Sequence, residues 1–271
     1  MSNFWQRTFT GAAFVIVMLG AAWLHAYAFI CLFLLIALTG LKEYSNLMQR
    51  HVPFNSTLLS IIGAIVYSSS IYASHQQPNY LLPVFVVCCF VILLYELFAA
   101  RQQPFSSATA AMGGLMYVVL PFVVFVNMSM RGGDYNFHFV LCYFILQWTS
   151  DTGQYLAGRS FGRSKLFERI SPKKSWEGLI GGLILTIAVA WYLSTRFDFI
   201  SKVDFVIISI IIVVFGTLGD LIESMLKRSV EVKDSGNIMP GHGGILDRFD
   251  ALIGSAPFVY FYLELLKPLL P

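Results

Sequence analysis

Charge is scarce in this sequence. Only 12% of its 271 residues are Asp, Glu, Lys or Arg, about half the density of an ordinary soluble domain. Cysteine is nearly absent too. Cys31, Cys88, Cys89 and Cys142 all lie inside apolar runs. None forms a Cys-x-x-Cys pair, and adjacent Cys88 and Cys89 are poor partners for one disulfide, so all four read as small hydrophobes. There is no internal repeat, no low-complexity tract, and no Ser-His-Asp or Cys-His arrangement. A net charge of +3 is too small to imply nucleic acid as a partner.

What the sequence does hold is apolar surface. Hydrophobic residues make up 57% of the chain and mean hydropathy is +0.70, more than one globular core can bury. The chain therefore reads as an all-α, polytopic integral membrane protein. A helix needs about 20 apolar residues to cross the hydrocarbon core. Nine runs qualify, near residues 9–24, 26–41, 57–74, 80–98, 107–128, 137–156, 179–195, 203–219 and 251–266. The first two are separated too closely, and without a small-residue cleavage site, to be a removed targeting segment. They are expected to form a helical hairpin.

Lys and Arg placement orients the spans, because these residues accumulate on the cytoplasmic side. With a cytoplasmic N-terminus and an outer C-terminus, fourteen of the eighteen Lys and Arg residues face the cytoplasm. The inverted arrangement would put those fourteen outside. The organisation expected is one membrane domain, with N-terminal helices over 1–150 and C-terminal helices over 151–271. Two cytoplasmic loops, 158–178 and 220–250, carry most of the polar chemistry.

The first loop is basic. Between Gly158 and Gly178 it holds six cations and two carboxylates, a balance of +4. Gly158 and Gly162 permit close backbone approach to a ligand. Ser171-Pro172-Lys173-Lys174-Ser175 precedes a helix start, where free N–H groups favour phosphate. The Ser175-x-Glu177 pair also suits helix capping. Gly178 and Gly182, four apart, point to close helix contact rather than ligand binding, as do Gly181 and Gly113-Gly114. Helix pairs of this kind permit a homodimer.

The second loop is acidic, with six carboxylates against four cations, a balance of −2. Oxygen-rich clusters suit Mg²⁺, which takes one or two carboxylates together with substrate phosphates. Asp220, Glu223, Ser224 and Lys227 share one face if helical. Asp247 and Asp250 lie three apart at the start of the ninth span. The turn Pro240-Gly241-His242-Gly243-Gly244 brings backbone close to something bulky, with a phosphate or ribose the expected candidate. His25, His51, His75 and His138 sit near helix ends and read as interfacial. A +4 loop beside a −2 loop fits a clamp for polyphosphate and metal.

The second loop resembles the signature of the phosphatidate cytidylyltransferases (CDP-diacylglycerol synthases). The resemblance runs from Ser224 through Leu226-Lys227-Arg228, Lys233-Asp234, Gly236, Pro240 and His242-Gly243-Gly244-Ile245 to Asp247-Arg248-Phe249-Asp250. Met239 departs from it by a soft apolar exchange. The first loop, with Gly162 and the run from Ile170 to Gly178, is similar to the same family. Together these motifs cover roughly the last 120 residues.

The resemblance implies a Mg²⁺-dependent nucleotidyltransferase of phospholipid biosynthesis in the bacterial inner (plasma) membrane, with its site facing the cytoplasm. Its substrates would be CTP and phosphatidic acid. It implies Asp220 and Asp247 as metal ligands, and Lys227, Arg228 and Arg248 as catalytic cations neutralising phosphates. Substrate contacts would come from Ser171, Lys173, Lys174, Ser224, Lys233, His242, Gly243 and Gly244. A second metal or a monovalent cation stays open, as does acyl-chain preference. The alternative is a CTP-dependent enzyme with another lipid acceptor, an isoprenoid alcohol or an ether lipid. A transporter would instead call for mid-membrane charges repeated in two halves, which this chain lacks.

Overall fold

Long apolar runs in a chain without water around them must satisfy their backbone internally, and helices do so within one segment. The computed structural model, which describes residues 3–75, 81–131, 133–236, 238 and 243–267, is accordingly helical. Each of the nine apolar runs falls on a helix. In chain order these are α1 (Asn3–Leu24), α2 (Ala26–Met48), α3 (Ser56–His75), α4 (Leu81–Phe98) and α5 (Pro104–Gly114), which a π-helical turn (Leu115–Val119) joins to α6 (Leu120–Ser129). Then come α7 (Phe137–Phe161), α8 (Trp176–Leu193), α9 (Lys202–Ser229) and α10 (Leu246–Phe261), extended by a second π-helical turn (Tyr262–Leu266). Among the described residues, six of these segments are long and apolar enough to cross a membrane: α2, α4, α5–α6, α8, α9 and α10 with its extension.

Two features depart from the expected loops. The basic loop is not irregular: it folds as an antiparallel hairpin of β1 (Lys165–Phe167) and β2 (Ser171–Ser175). The acidic loop is shorter than its sequence suggests. Helix α9 continues ten residues past Gly219, so Asp220 to Lys227 lie on helix, as their spacing on one face requires.

Backbone contacts divide the chain into two compact units. The first comprises residues 1–135 and 229–248. Its core is aromatic: Phe29, Phe33, Phe122 and Phe125 are fully buried, and the Phe29 and Phe33 rings sit 4.4 Å apart. Buried hydroxyls find main-chain acceptors. Tyr67 donates to the Ile30 carbonyl at 2.9 Å, and Tyr44 donates to that of Ala110 at 3.0 Å. The Tyr44 ring fills the space left by Gly113 and Gly114, the close packing expected of that pair. A Cβ at Gly114 would stand 2.9 Å from the ring and 3.0 Å from Leu41. Gly114→Val should therefore cost about 1–3 kcal/mol through overpacking, read as a lower melting temperature in detergent.

The second unit comprises residues 136–228 and 249–271. Helices α7 and α8 meet through small residues. Gly182 faces Gly153 and Gln154, Gly181 faces Ala157, and Gly178 faces Gln154 and Gly158. The four-residue spacing of Gly178 and Gly182 thus does serve helix contact. Asp204, 4% exposed, ties the start of α9 to the end of the chain. It accepts from Tyr262 Oη at 2.7 Å and pairs with Lys267 at 2.6 Å. The four cysteines are unbridged, as their apolar settings predict.

Candidate active site

In the second unit the hairpin is fastened to α8 at its base. Ser175 ends β2 and caps the helix, its Oγ accepting from the Gly178 amide at 3.1 Å. Glu177, in the first turn, accepts from the amides of Arg163 and Ser164, both at 3.1 Å. Ser175 thus caps α8, while Glu177 holds the turn that precedes the hairpin. Of the glycines expected to admit a ligand, Gly162 is closed off by this cap, whereas Gly158 lines the cavity beside the hairpin. A Cβ at Gly162 would lie 2.8 Å from Ser175 Oγ, and one at Gly158 would lie 3.4 Å from it.

What the hairpin offers a ligand is its second strand. Ser171, Lys173 and Lys174 line a cavity of about 370 Å³ together with Asp151, Gln154 and Asp220. That volume is in the range of small-molecule sites. Lys174 reaches across to α9, its Nζ 2.6 Å from Asp220 Oδ2 and 3.3 Å from the Thr217 carbonyl. Gln154 on α7 accepts from Thr217 Oγ1 at 3.0 Å, which fixes the third wall.

Asp220 belongs to a group of three. Carboxylate oxygens of Asp220, Glu223 and Asp250 lie within 4.8 Å of one another. The juxtaposition follows from glycine. A Cβ at Gly219 would stand 2.7 Å from Gly254 Cα, so α9 and α10 touch backbone to backbone there. The neighbouring Asp220 and the Asp250 one turn before Gly254 are brought face to face. Like charges this close need compensation. Lys174 supplies it to Asp220, and Lys227 pairs with Glu223 at 2.6 Å. Ser224 adds a 3.3 Å hydrogen bond to Asp220 Oδ1.

These residues fit a divalent cation. The donors are hard oxygens of the kind Mg²⁺ selects, and three carboxylates converge. Lys227, expected beside phosphate, lies against Glu223 and is 9% exposed.

In the first unit the signature segment is organised around Asp247. Its Oδ2 accepts from the Ser235 amide at 3.0 Å, from Ser235 Oγ at 2.9 Å, and from the Gly244 amide at 2.8 Å. Gly243 has φ +86°, a left-handed conformation suited to glycine, and its missing side chain leaves room for the Asp247 carboxylate. Lys233 and Arg248 are exposed here, as is Arg228 in the second unit. His242, with Met239, Pro240 and Gly241, lies outside the described residues.

Glu223, Asp250, Asp151, Gln154 and Glu43 were not assigned roles from sequence. Glu223 and Asp250 carried a signal, since both belong to the acidic face and the signature. Gln154 and Glu43 carried none. An isolated polar residue in an apolar helix looks the same whether it faces a site or a helix end.

Comparison with known proteins gives the family of the chain. The sequence pattern described as the Cytidylyltransferase family matches residues 5–266. The phosphatidate cytidylyltransferase of Staphylococcus haemolyticus is 34% identical over 249 residues, 92% of each chain. That of Staphylococcus aureus (strain COL) is 34% identical over 230 residues, 84% of this chain and 87% of the relative. That of Bacillus subtilis is 37% identical over 190 residues, 68% of this chain and 67% of the relative. A match that spans nearly the whole sequence and includes both polar segments leaves one assignment, that the chain belongs to the cytidylyltransferase family.

Proposed function

We propose that this protein joins CTP to phosphatidic acid, releasing pyrophosphate and forming CDP-diacylglycerol, with Mg²⁺ as cofactor. The observation that carries this reading is the cavity in which two hairpin lysines meet a half-buried carboxylate cluster. Cations for phosphate and oxygen ligands for metal stand side by side.

The reaction asks for little acid–base chemistry. A phosphate monoester is already ionised near neutral pH, its second pKa being about 6. Its oxygen forms a bond to the α-phosphorus of CTP as the bond to the departing pyrophosphate breaks. The difficulty is bringing two anions together. Lys173 and Lys174 offset phosphate charge from the hairpin, and Ser171 donates a hydrogen bond beside them. Arg228, Lys233 and Arg248 are free enough of cover to meet phosphates at the membrane surface. Asp220, Glu223 and Asp250 would hold the metal, and the resemblance assigns Asp247 of the signature segment to the catalytic machinery as well. Bound there, Mg²⁺ supplies charge neutralisation on phosphate oxygens. Lys174 holds Asp220 until substrate arrives, then exchanges that carboxylate for a phosphate.

The placement of Lys and Arg supports nine spans, a cytoplasmic N-terminus and a site opening on the cytoplasmic face of the bacterial inner membrane. There both substrates are within reach, and no nucleic acid is involved. A homodimer would form through another face, since the small residues of α8 pack against α7 of the same chain.

The test uses purified protein in detergent with radiolabelled CTP and Mg²⁺. Label should enter lipid with phosphatidic acid and should not do so with an isoprenoid alcohol. Transfer to the alcohol or to an ether lipid alone would replace the acceptor in this reading. No transfer to any lipid would end it.

A further inference from the structure

A carboxylate stands where the sequence gives no reason to expect one. Glu43 on α2 is 3% exposed, yet it is fully engaged. Its Oε1 accepts from the Ile245 amide at 2.9 Å. Its Oε2 accepts from the Leu246 amide at 3.0 Å and shares the Ser235 hydroxyl, 3.1 Å away, with Asp247. All three donors belong to the signature segment, about two hundred residues further along the chain. Burying a charge costs heavily unless donors surround it. Here the amides that open α10, which have no partner within their own helix, provide them.

The glycines of the signature read differently in this light. A Cβ at Gly236 would stand 2.6 Å from Glu43 Oε1, and one at Gly244 would collide with Glu43 Oε2 and Ser235 Oγ. The close approach these glycines permit is to a carboxylate of the same protein. Ser235 then joins two carboxylates, its Oγ lying 3.1 Å from Glu43 Oε2 and 2.9 Å from Asp247 Oδ2.

We propose that Glu43 is a positioning residue for the transferase reaction: it fixes the backbone at Ile245 and Leu246, holds Ser235 and, through Ser235, the carboxylate of Asp247. The inference rests on the reading of Asp247 as part of the catalytic centre. Groups that orient a metal-binding carboxylate in this way typically alter activity 10–100-fold when replaced. Glu43→Gln keeps the size of the side chain but turns one oxygen into a donor. Whichever way the amide lies, a donor then faces a donor.

The experiment compares Glu43→Gln, Ser235→Ala, Asp247→Asn and Glu96→Gln in the full-length protein. Glu96, paired with Arg101 at 2.9 Å, is a buried carboxylate with no link to the signature segment. Three quantities are read: melting temperature in detergent, kcat and KM for CTP, and amide exchange of peptides covering 235–247. Glu43→Gln and Ser235→Ala are expected to keep the parent melting temperature to within a few degrees. Their kcat should fall about 10–100-fold with KM within about 3-fold, and exchange over 235–247 should quicken. Glu96→Gln should leave kcat and that exchange unchanged.

Unchanged kcat in Glu43→Gln overturns the proposal. So does activity that falls only in step with the folded fraction in both Glu43→Gln and Ser235→Ala, since that marks a tie for stability alone. Asp247→Asn separates the two levels. If it keeps full activity, the reading of Asp247 fails and the route from Glu43 fails with it. If it abolishes activity while Glu43→Gln does not, the reading of Asp247 stands and only the inference about Glu43 falls.

Discussion

Asp250→Asn is expected to lower kcat about 10²–10³-fold while the protein stays folded, the size of loss seen when one preorganised charge-stabilising group is removed. The substitution preserves shape and the contact of Oδ1 with the Ala251 amide, but takes one of three converging carboxylates from the cluster. Asp220→Asn should do the same, and it also releases Lys174 from its 2.6 Å pair. Raising Mg²⁺ should partly restore Asp250→Asn, because the remaining two carboxylates still bind, only more weakly. The measurement is initial rate of lipid labelling from CTP across a Mg²⁺ titration, with melting temperature as control. A rate equal to that of the parent protein at every Mg²⁺ concentration would remove Asp250 from the metal site and leave Asp220 to be explained by its lysine. Comparison with Asp247→Asn separates the two pairs of aspartates. The resemblance pairs Asp220 with Asp247, whereas in the second unit Asp220 converges with Glu223 and Asp250.

Gly254→Leu should abolish activity without replacing a single polar side chain. At Gly254 even a Cβ would stand 2.5 Å from Gly219 Cα and would collide with the Phe215 carbonyl. Both obstacles are backbone, which cannot rotate away. The helices must separate, and the carboxylates of Asp220 and Asp250 separate with them. Overpacking alone costs about 1–3 kcal/mol, and loss of the shared cation site follows from distance. The contrast is Gly216→Ala. There the new Cβ would meet Ala251 Cβ at 3.3 Å, a contact relieved by a few tenths of an ångström. Activity should survive at Gly216 and fail at Gly254, in labelling assays on variants extracted with equal yield. Equal activity in both would mean that the crossing of α9 and α10 does not set the cluster.

Most of the helical fold is legible in the sequence, because its determinants are local. Apolar runs mark the helices by composition, and six of the resulting segments among the described residues are long and apolar enough to cross a bilayer. Ser175 and Glu177 announce the start of α8 through a rule that spans only a few residues. The spacing of Asp220, Glu223, Ser224 and Lys227 foretells a shared face for the same reason. The hairpin at Lys165–Ser175 was missed, since a short strand rich in lysine has no apolar alternation to give it away.

The tertiary structure alone decided which charges meet. Asp220 and Asp250 are thirty residues apart, and what unites them is a backbone contact between Gly219 and Gly254 that neither local sequence encodes. Glu43 resembles an ordinary charge near a helix end, yet it is buried because donors from a segment two hundred residues later close over it. The glycines of both polar segments were rightly read as places of close approach. What approaches Gly162, Gly236, Gly243 and Gly244 is a side chain of the protein itself, Ser175, Glu43 or Asp247. A sequence states that room has been left; only the folded chain says what fills it, because occupancy depends on atoms brought together across the fold.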